Sequence, residues 1–302
     1  MSAPSISVAG LTPFVVAVTV CAPLWGINLA QATVYYRTYK TDRPFLKWLV
    51  GICVLFNTAQ LAVLAYTVYF WLITCRIPPN YLLLGTLKRS MVPSYLTYFL
   101  TSLVQSFYAL RVWHVSEKKL WVVALILFLS LTQFVGGFAL CTYLVIQNSI
   151  TAVYSKFNHV SGGIELASSM VCDILISGSL VYYLRGRTKT FQSTRNAVNK
   201  LVLYSVNIGI ATNLFALVNL ITWLANSETS FTWAVFHFAL GKIYVNSMLV
   251  SLNAREKIRA ELSTGGRYQM ATSMFDVDGV GTKTARSRDV QLSNKPFSSH
   301  VA

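Results

Sequence analysis

The sequence predicts an all-α integral membrane protein: a seven-helix bundle with its amino terminus outside and its carboxyl terminus in the cytoplasm. Three observations lead there. Of 302 residues, 54% are apolar and 12% are charged, about half the charged fraction of a soluble domain, which leaves too little polar surface to cover a globule of this size. Seven apolar runs reach the roughly 20 residues that a spanning helix needs. Basic residues gather on alternate connections between those runs, the pattern of the positive-inside rule.

The first run, Phe14 to Tyr36, follows residues 1–10, which contain no Lys or Arg. It is too long for the apolar region of a signal peptide, and it is expected to be a retained first helix behind a short extracellular segment, 1–13. Arg43-Pro44 punctuates the chain before the second run, Trp48 to Ile73. Pro78-Pro79 and Pro93 bracket the approach to the third, Ser94 to Val115, and proline is favoured at a helix start. The fourth run is Leu120 to Ile146. Gly162-Gly163 precedes the fifth, Ile164 to Leu184, and Arg185-Gly186 follows it. Leu201 to Leu224 and Phe231 to Leu252 complete the bundle, 14–252. From residue 253 the composition turns to Ser, Thr, Gly, Lys and Arg, with Ser or Thr at 10 of the last 40 positions. That composition predicts a largely disordered basic tail, whose start, Asn253 to Leu262, suits either a short helix on anionic lipid or a solvated stretch.

Orientation follows from position. The connections 37–47, 111–119 and 185–200, with the tail, hold 20 Lys or Arg, against 4 on the opposite connections. The net charge of +15 therefore divides into +13 on the cytoplasmic face, +3 outside and −1 within the spans. Basicity that first admits nucleic acid as a partner thus reports topology, and nucleic acid drops out. The cysteines, Cys21, Cys53, Cys75, Cys141 and Cys172, mostly lie inside spans, where Cys acts as a small apolar residue. No disulfide framework is indicated, although a Cys75 to Cys141 pairing stays open. There is no N-x-Ser/Thr sequon.

In lipid, polar side chains turn toward neighbouring helices, and each span offers such a stripe. Among them are Asn57, Gln60 and Thr67 in the second span, Tyr98, Thr101, Gln105 and Tyr108 in the third, and Ser205, Gly209, Thr212, Ala216 and Asn219 in the sixth. Interhelical hydrogen bonding accounts for most of them; a polar cavity open from outside is the sharper reading. Ionisable residues inside the spans say more, because a mid-bilayer charge costs roughly 2.5 to 3.5 kcal/mol on the insertion scale. Glu165 and Asp173 share one face of the fifth span, four and four residues apart across Ser169. Lys242 lies midway along the seventh, with Asn246 one turn deeper. Counted from their starts, Asp173 and Lys242 lie at equal depth, and Glu165 and His237 both lie near the outer end. The expected arrangement is an Asp173 to Lys242 pair as the floor of a pocket reached past Glu165 and His237, with Gln105 and Asn246 beside it. A purely structural ion pair is the alternative.

Enzymatic chemistry is not expected, nor is a cofactor or a metal. A retinal Schiff base on Lys242 needs a carboxylate counter-ion, but the third span has no acid and Phe238 stands four residues before the lysine. A zinc site needs clustered ligands, while the chain has four His, of which His114, His159 and His300 lie outside spans or at their edges. For serine proteolysis, Ser179 and His237 are at different depths. A carrier usually shows helices broken by Gly or Pro in paired spans, and Pro23 is the only proline inside any expected span.

Three stretches carry a resemblance. They are Val104-Gln105-Ser106-Phe107-Tyr108-Ala109-Leu110-Arg111-Val112-Trp113, then Asp173-Ile174-Leu175-Ile176 through Tyr182-Tyr183-Leu184 and on to Thr194, and finally Gly241-Lys242-Ile243-Tyr244-Val245-Asn246-Ser247 through Ser251-Leu252-Asn253-Ala254-Arg255. Together they resemble a family of uncharacterised seven-helix membrane proteins of basidiomycete fungi, classed by a domain of unknown function. The resemblance covers most of residues 10–260. It implies receptor-like topology in a fungal membrane and marks Gln105, Arg111, Asp173, Lys242, Asn246, Asn253 and Arg255 as motif positions. The triplet and the Asn-Pro-x-x-Tyr of rhodopsin-like receptors are missing: Arg111 follows Leu110, and the seventh span has no proline. G-protein coupling is therefore an analogy of topology.

The expected function is a receptor-like sensor of an unknown small ligand, in the plasma membrane rather than an endomembrane. A basic cytoplasmic face (Arg111, Arg185, Arg187, Asn253 and Arg255) would meet anionic lipid headgroups or a signalling partner. The alternatives are a transporter or channel using Glu165, Asp173 and Lys242, and a non-catalytic membrane scaffold.

Overall fold

The computed structural model describes residues 8–77, 88, 90–149, 152, 153, 155–186, 209–225 and 231–255. Among them the chain is helical throughout, with no strand. The helices are α1 (Val8–Thr38), α2 (Pro44–Leu72), α3 (Val92–Val115), α4 (Leu120–Gln147), α5 (Lys156–Gly186), α6 (Gly209–Leu224) and α7 (Trp233–Arg255), and a 3-10 turn, Thr74–Arg76, follows α2. Five of them, α1, α2, α4, α5 and α7, are long and apolar enough to cross a membrane. Although α3 is 24 residues long, it is too polar to count with them, and the described part of α6 is shorter.

The proline signals work as read. Pro44 lies in the first turn of α2 and Pro93 in that of α3, where a missing N–H breaks no intrahelical bond. Asn148 closes α4 in the left-handed region at φ 43°, a conformation asparagine tolerates better than most residues. Two readings need correction. The helix α1 starts at Val8, not Phe14, so Pro13 joins Pro23 inside it. Gly162-Gly163 does not separate spans, since α5 runs through both from Lys156. A β-carbon on Gly162 would collide with the Trp223 indole of α6, so that glycine permits close helix packing rather than a break. The tail beyond 255 and the stretch 187–208, with the first third of the expected sixth span, lie outside the described residues.

Two apolar clusters define how the helices run. One gathers Leu11 and Phe14 of α1, Phe70 and Trp71 of α2, Leu144 of α4 and Phe238 of α7. The other gathers Tyr35, Val50, Val112, Ile126, Leu184 and Leu252. The start of α1 thus meets the end of α2, and the two alternate in direction, as α3, α4 and α5 do in turn. The cluster with Phe14 marks the amino-terminal end of the bundle, where α1, α3, α5 and α7 begin. At the centre stands α7, with 78% of its most apolar stretch buried against 22% to 39% in the other four long helices. Large side chains such as Trp48, Leu55, Trp121, Ile146 and Tyr182 are exposed around the outside, as expected of a surface that faces lipid.

Candidate functional site

At the amino-terminal end, α3, α4, α5, α6 and α7 enclose a cavity of about 40 Å³, lined among others by Tyr98, Asn158, Glu165, Asn219, Trp223, Trp233 and His237. Glu165 is buried, and among the described residues its hydrogen bond is a long one, 3.4 Å from the Tyr98 hydroxyl, which donates. Among the described residues the lining contains no Lys or Arg. Around the carboxylate runs a chain of rings. His159 stacks on Trp223 at 6.1 Å, Trp223 meets Trp233 edge-on at 4.9 Å, Trp233 meets His237 at 5.8 Å, and His237 meets Tyr98 at 5.3 Å.

Two glycines make room for these walls. Gly162 admits Trp223, whose Nε1 donates to the His159 carbonyl at 3.0 Å, and a β-carbon on Gly137 would lie 2.5 Å from the Tyr98 ring. Four buried atoms of the lining have no protein partner: both amide atoms of Asn219, Trp233 Nε1 and His237 Nε2. Buried polar atoms are nearly always paired, so four on three residues around one cavity point to something the cavity receives.

Midway along the bundle lies the second acid. The Tyr244 hydroxyl donates to Asp173 Oδ2, Gln105 Nε2 donates to Oδ1 at 3.3 Å, and Gln105 Nε2 also reaches Gln133 Oε1 at 3.0 Å. These bonds tie α3, α4, α5 and α7 together. A cavity of about 20 Å³, enough for one water, lies against Asp173, Tyr108, Arg111, Thr212 and Ser247. Ser177 and Gly209 pack tightly at its edge. They part it from a much larger cleft of about 1310 Å³, lined mainly by apolar residues of α5 and α6 with Glu117, Lys119 and Arg185.

The expected Asp173 to Lys242 pair does not form. Lys242 is fully buried, and its Nζ donates to the Asn57 carbonyl at 2.8 Å and to Gln60 Oε1, both on α2. Asn28 of α1 donates to the Lys242 carbonyl at 3.0 Å, and Gln60 Nε2 continues to Thr97 Oγ1 at 2.8 Å. Equal depth is correct, but azimuth decides. Tyr244, which reaches Asp173, lies two residues from Lys242, about 200° around the helix at 3.6 residues per turn. One side chain faces α5 and the other faces α1 and α2. Lys242 therefore leaves the pocket and becomes a tie between helices. Asn246 is half-buried, lines neither small cavity, and its Oδ1 has no protein partner.

At the opposite end, the residues expected on an open cytoplasmic face turn inward. Arg111 donates to Ser251 Oγ, and Tyr108 donates to Ser247 Oγ at 3.2 Å. Asn253 donates to the Gln31 carbonyl at 2.9 Å. Arg255 pairs with Asp42 of the α1–α2 turn at 2.5 Å and stacks over the Tyr39 ring at 4.6 Å, while Tyr35 donates to the same carboxylate at 2.9 Å. Burial works against the charged form of Asp42. The bonds from Arg255, Tyr35 and the Arg43 amide outweigh it and hold the carboxyl below its usual range. Arg185 is exposed, and Arg187 lies outside the described residues.

The structure thus unites Glu165 with His237 in one cavity, and bonds Gln105 to Asp173 beside a second. It adds Tyr98, Asn219, Trp223, Trp233 and Tyr244 to the site. Asn219 and Tyr98 stand in the polar stripes and Tyr244 in the third resembling stretch, but sequence spacing alone could not say which stripe faces which. The five cysteines are all free and buried, so Cys75 and Cys141 are not bridged. Among the described residues, no three His, Cys, Asp or Glu are placed to hold a metal ion.

Residues 169–257, from the middle of α5 to the end of α7, match a family of unknown function, DUF6534. That span holds Asp173, Lys242, Tyr244 and Arg255 but stops short of Glu165. No curated protein and no solved structure matches the chain.

Proposed function

We propose that this multi-pass membrane protein is a receptor-like sensor, seven-spanning with its amino terminus outside, that takes a small ligand into the cavity around Glu165. The observation that supports it most is the cluster of unpartnered buried polar atoms on Asn219, Trp233 and His237 beside an acid with no cation among the described lining residues. Helix α7 carries a group at each successive level. His237 lines the cavity, Tyr244 holds Asp173, Ser247 holds Tyr108, Ser251 holds Arg111 and Arg255 holds Asp42. A shift of α7 at one end would therefore be felt at the α1–α2 turn. Exposed Arg37, Lys40 and Arg43 would meet anionic headgroups, and a signalling partner would read the same face. The resemblance to basidiomycete seven-helix proteins supports a fungal plasma membrane, and no catalytic step belongs to this reading.

Transport along Glu165, Asp173 and Lys242 fits less well, because Lys242 faces away from both acids. A panel of small polar solutes, tested by thermal shift and by flux into proteoliposomes, separates the two. A solute that saturably raises the unfolding midpoint without permeating supports sensing. A permeating solute whose flux is abolished by Asp173→Asn overturns it in favour of transport. A scaffold would show neither response.

A further inference from the structure

We infer that the cavity at the amino-terminal end binds a small ammonium: the ammonium ion itself or a primary alkylammonium the size of methylammonium. The inference rests on reading this cavity as the sensing site, and three independent features specify the ligand. The first is charge. Glu165 is buried, none of the described lining residues is a Lys or Arg, and a buried carboxyl keeps its charge only when a cation joins it. The second is the wall. Tyr98, Trp223, Trp233 and His237 form a continuous ring series around the acid, and aromatic faces together with a carboxylate are the usual surroundings of an ammonium, whose charge is drawn to the ring quadrupole.

The third feature is hydrogen-bonding capacity. An alkylammonium has three N–H donors. The cavity offers the Glu165 carboxylate and two unpartnered acceptors, Asn219 Oδ1 and His237 Nε2, while its two unpartnered donors, Asn219 Nδ2 and Trp233 Nε1, are left to water. In the tautomer protonated on Nδ1, His237 accepts at Nε2. An anion would oppose ionisation of Glu165, whereas a cation is the ligand that stabilises the carboxyl in its ionised form. Size limits the ligand further. About 40 Å³ compares with the 10 to 15 Å³ that admit one water, which leaves space for two or three heavy atoms and excludes a quaternary ammonium. His159, half-buried at the outer end of the ring series, marks the side from which a ligand would enter.

The test uses the full chain in lipid nanodiscs, titrated with methylammonium chloride against sodium chloride at matched ionic strength. Tryptophan fluorescence reports occupancy, since Trp223 and Trp233 line the cavity. Saturable quenching by methylammonium and none by tetramethylammonium is expected. Glu165→Gln should bind about ten- to hundredfold more weakly, the value of one hydrogen bond to a charged group. Asn219→Leu removes no protein hydrogen bond, so it should fold and still bind more weakly. Quenching by sodium or tetramethylammonium equal to that by methylammonium, or an unchanged affinity in both variants, would overturn the inference. So would the absence of any saturable response. A spin-label distance between the α1–α2 turn and the end of α7 separates this from the sensor reading. Saturable methylammonium binding with that distance fixed upholds the ammonium site and sinks the sensor. A distance change with sodium formate and none with methylammonium does the reverse.

Discussion

Asn219→Leu should make the protein more stable. Asn219 is fully buried, and neither its Oδ1 nor its Nδ2 has a protein partner. Leaving a buried polar group unsatisfied costs about 1 to 3 kcal/mol. The adjoining 40 Å³ has room for water that can recover part of this, so the lower end, about 1 kcal/mol, is the expected gain. Leucine has the same branching and the same number of side-chain heavy atoms, so overpacking is slight. For a chain of this size the gain corresponds to an unfolding midpoint raised by about 1 to 2 °C. The five free, buried cysteines suit the measurement, because a thiol-reactive fluorogenic dye labels them only as the bundle opens. The same substitution should weaken methylammonium binding. Opposite signs for stability and binding are what a functional residue produces and a packing residue does not. A midpoint that stays level or falls would refute the reasoning, since it would mean that the amide is already satisfied by its surroundings.

Asp173→Asn and Lys242→Met should destabilise additively, to within about 0.5 kcal/mol, because the two residues share no partner; a coupling well above that in a double-mutant unfolding cycle would restore the ion pair. Gly162→Ala forces a β-carbon into the Trp223 indole and should lower stability by about 1 to 3 kcal/mol, whereas Gly178→Ala, with open space around it, should not; unfolding midpoints of the two variants compare them directly. Asp42 is held below the usual carboxylate range by its bonds to Arg255, Tyr35 and the Arg43 amide, against burial. Its contribution is therefore full above the ordinary carboxylate pKa and is lost as pH falls through the lower, folded value. Unfolding midpoints followed from about pH 7 to about pH 2 should show an acid limb that Asp42→Asn reduces.

The reach of the sequence follows from what each property depends on. Apolar runs, proline starts and basic connections are local quantities, so helix positions were legible to within a few residues at most ends. Gly162-Gly163 misled because a glycine pair is the same signal for a loop and for close packing; only Trp223 across the interface tells them apart. Depth was legible too, since it counts along one helix, and it correctly set Glu165 level with His237. Azimuth was not. Whether Lys242 faces α5 or α2 depends on how each helix is rotated in the bundle, which is set by all its neighbours together. A rotation of about 200° separates Lys242 from Tyr244, and that angle turned an expected ion pair into two separate networks. The sequence by itself determined that the chain is helical, lipid-facing and unusually polar within its core. Tertiary structure decided which polar groups meet and which are left unpartnered, because hydrogen bonding between helices is directional and apolar burial is not.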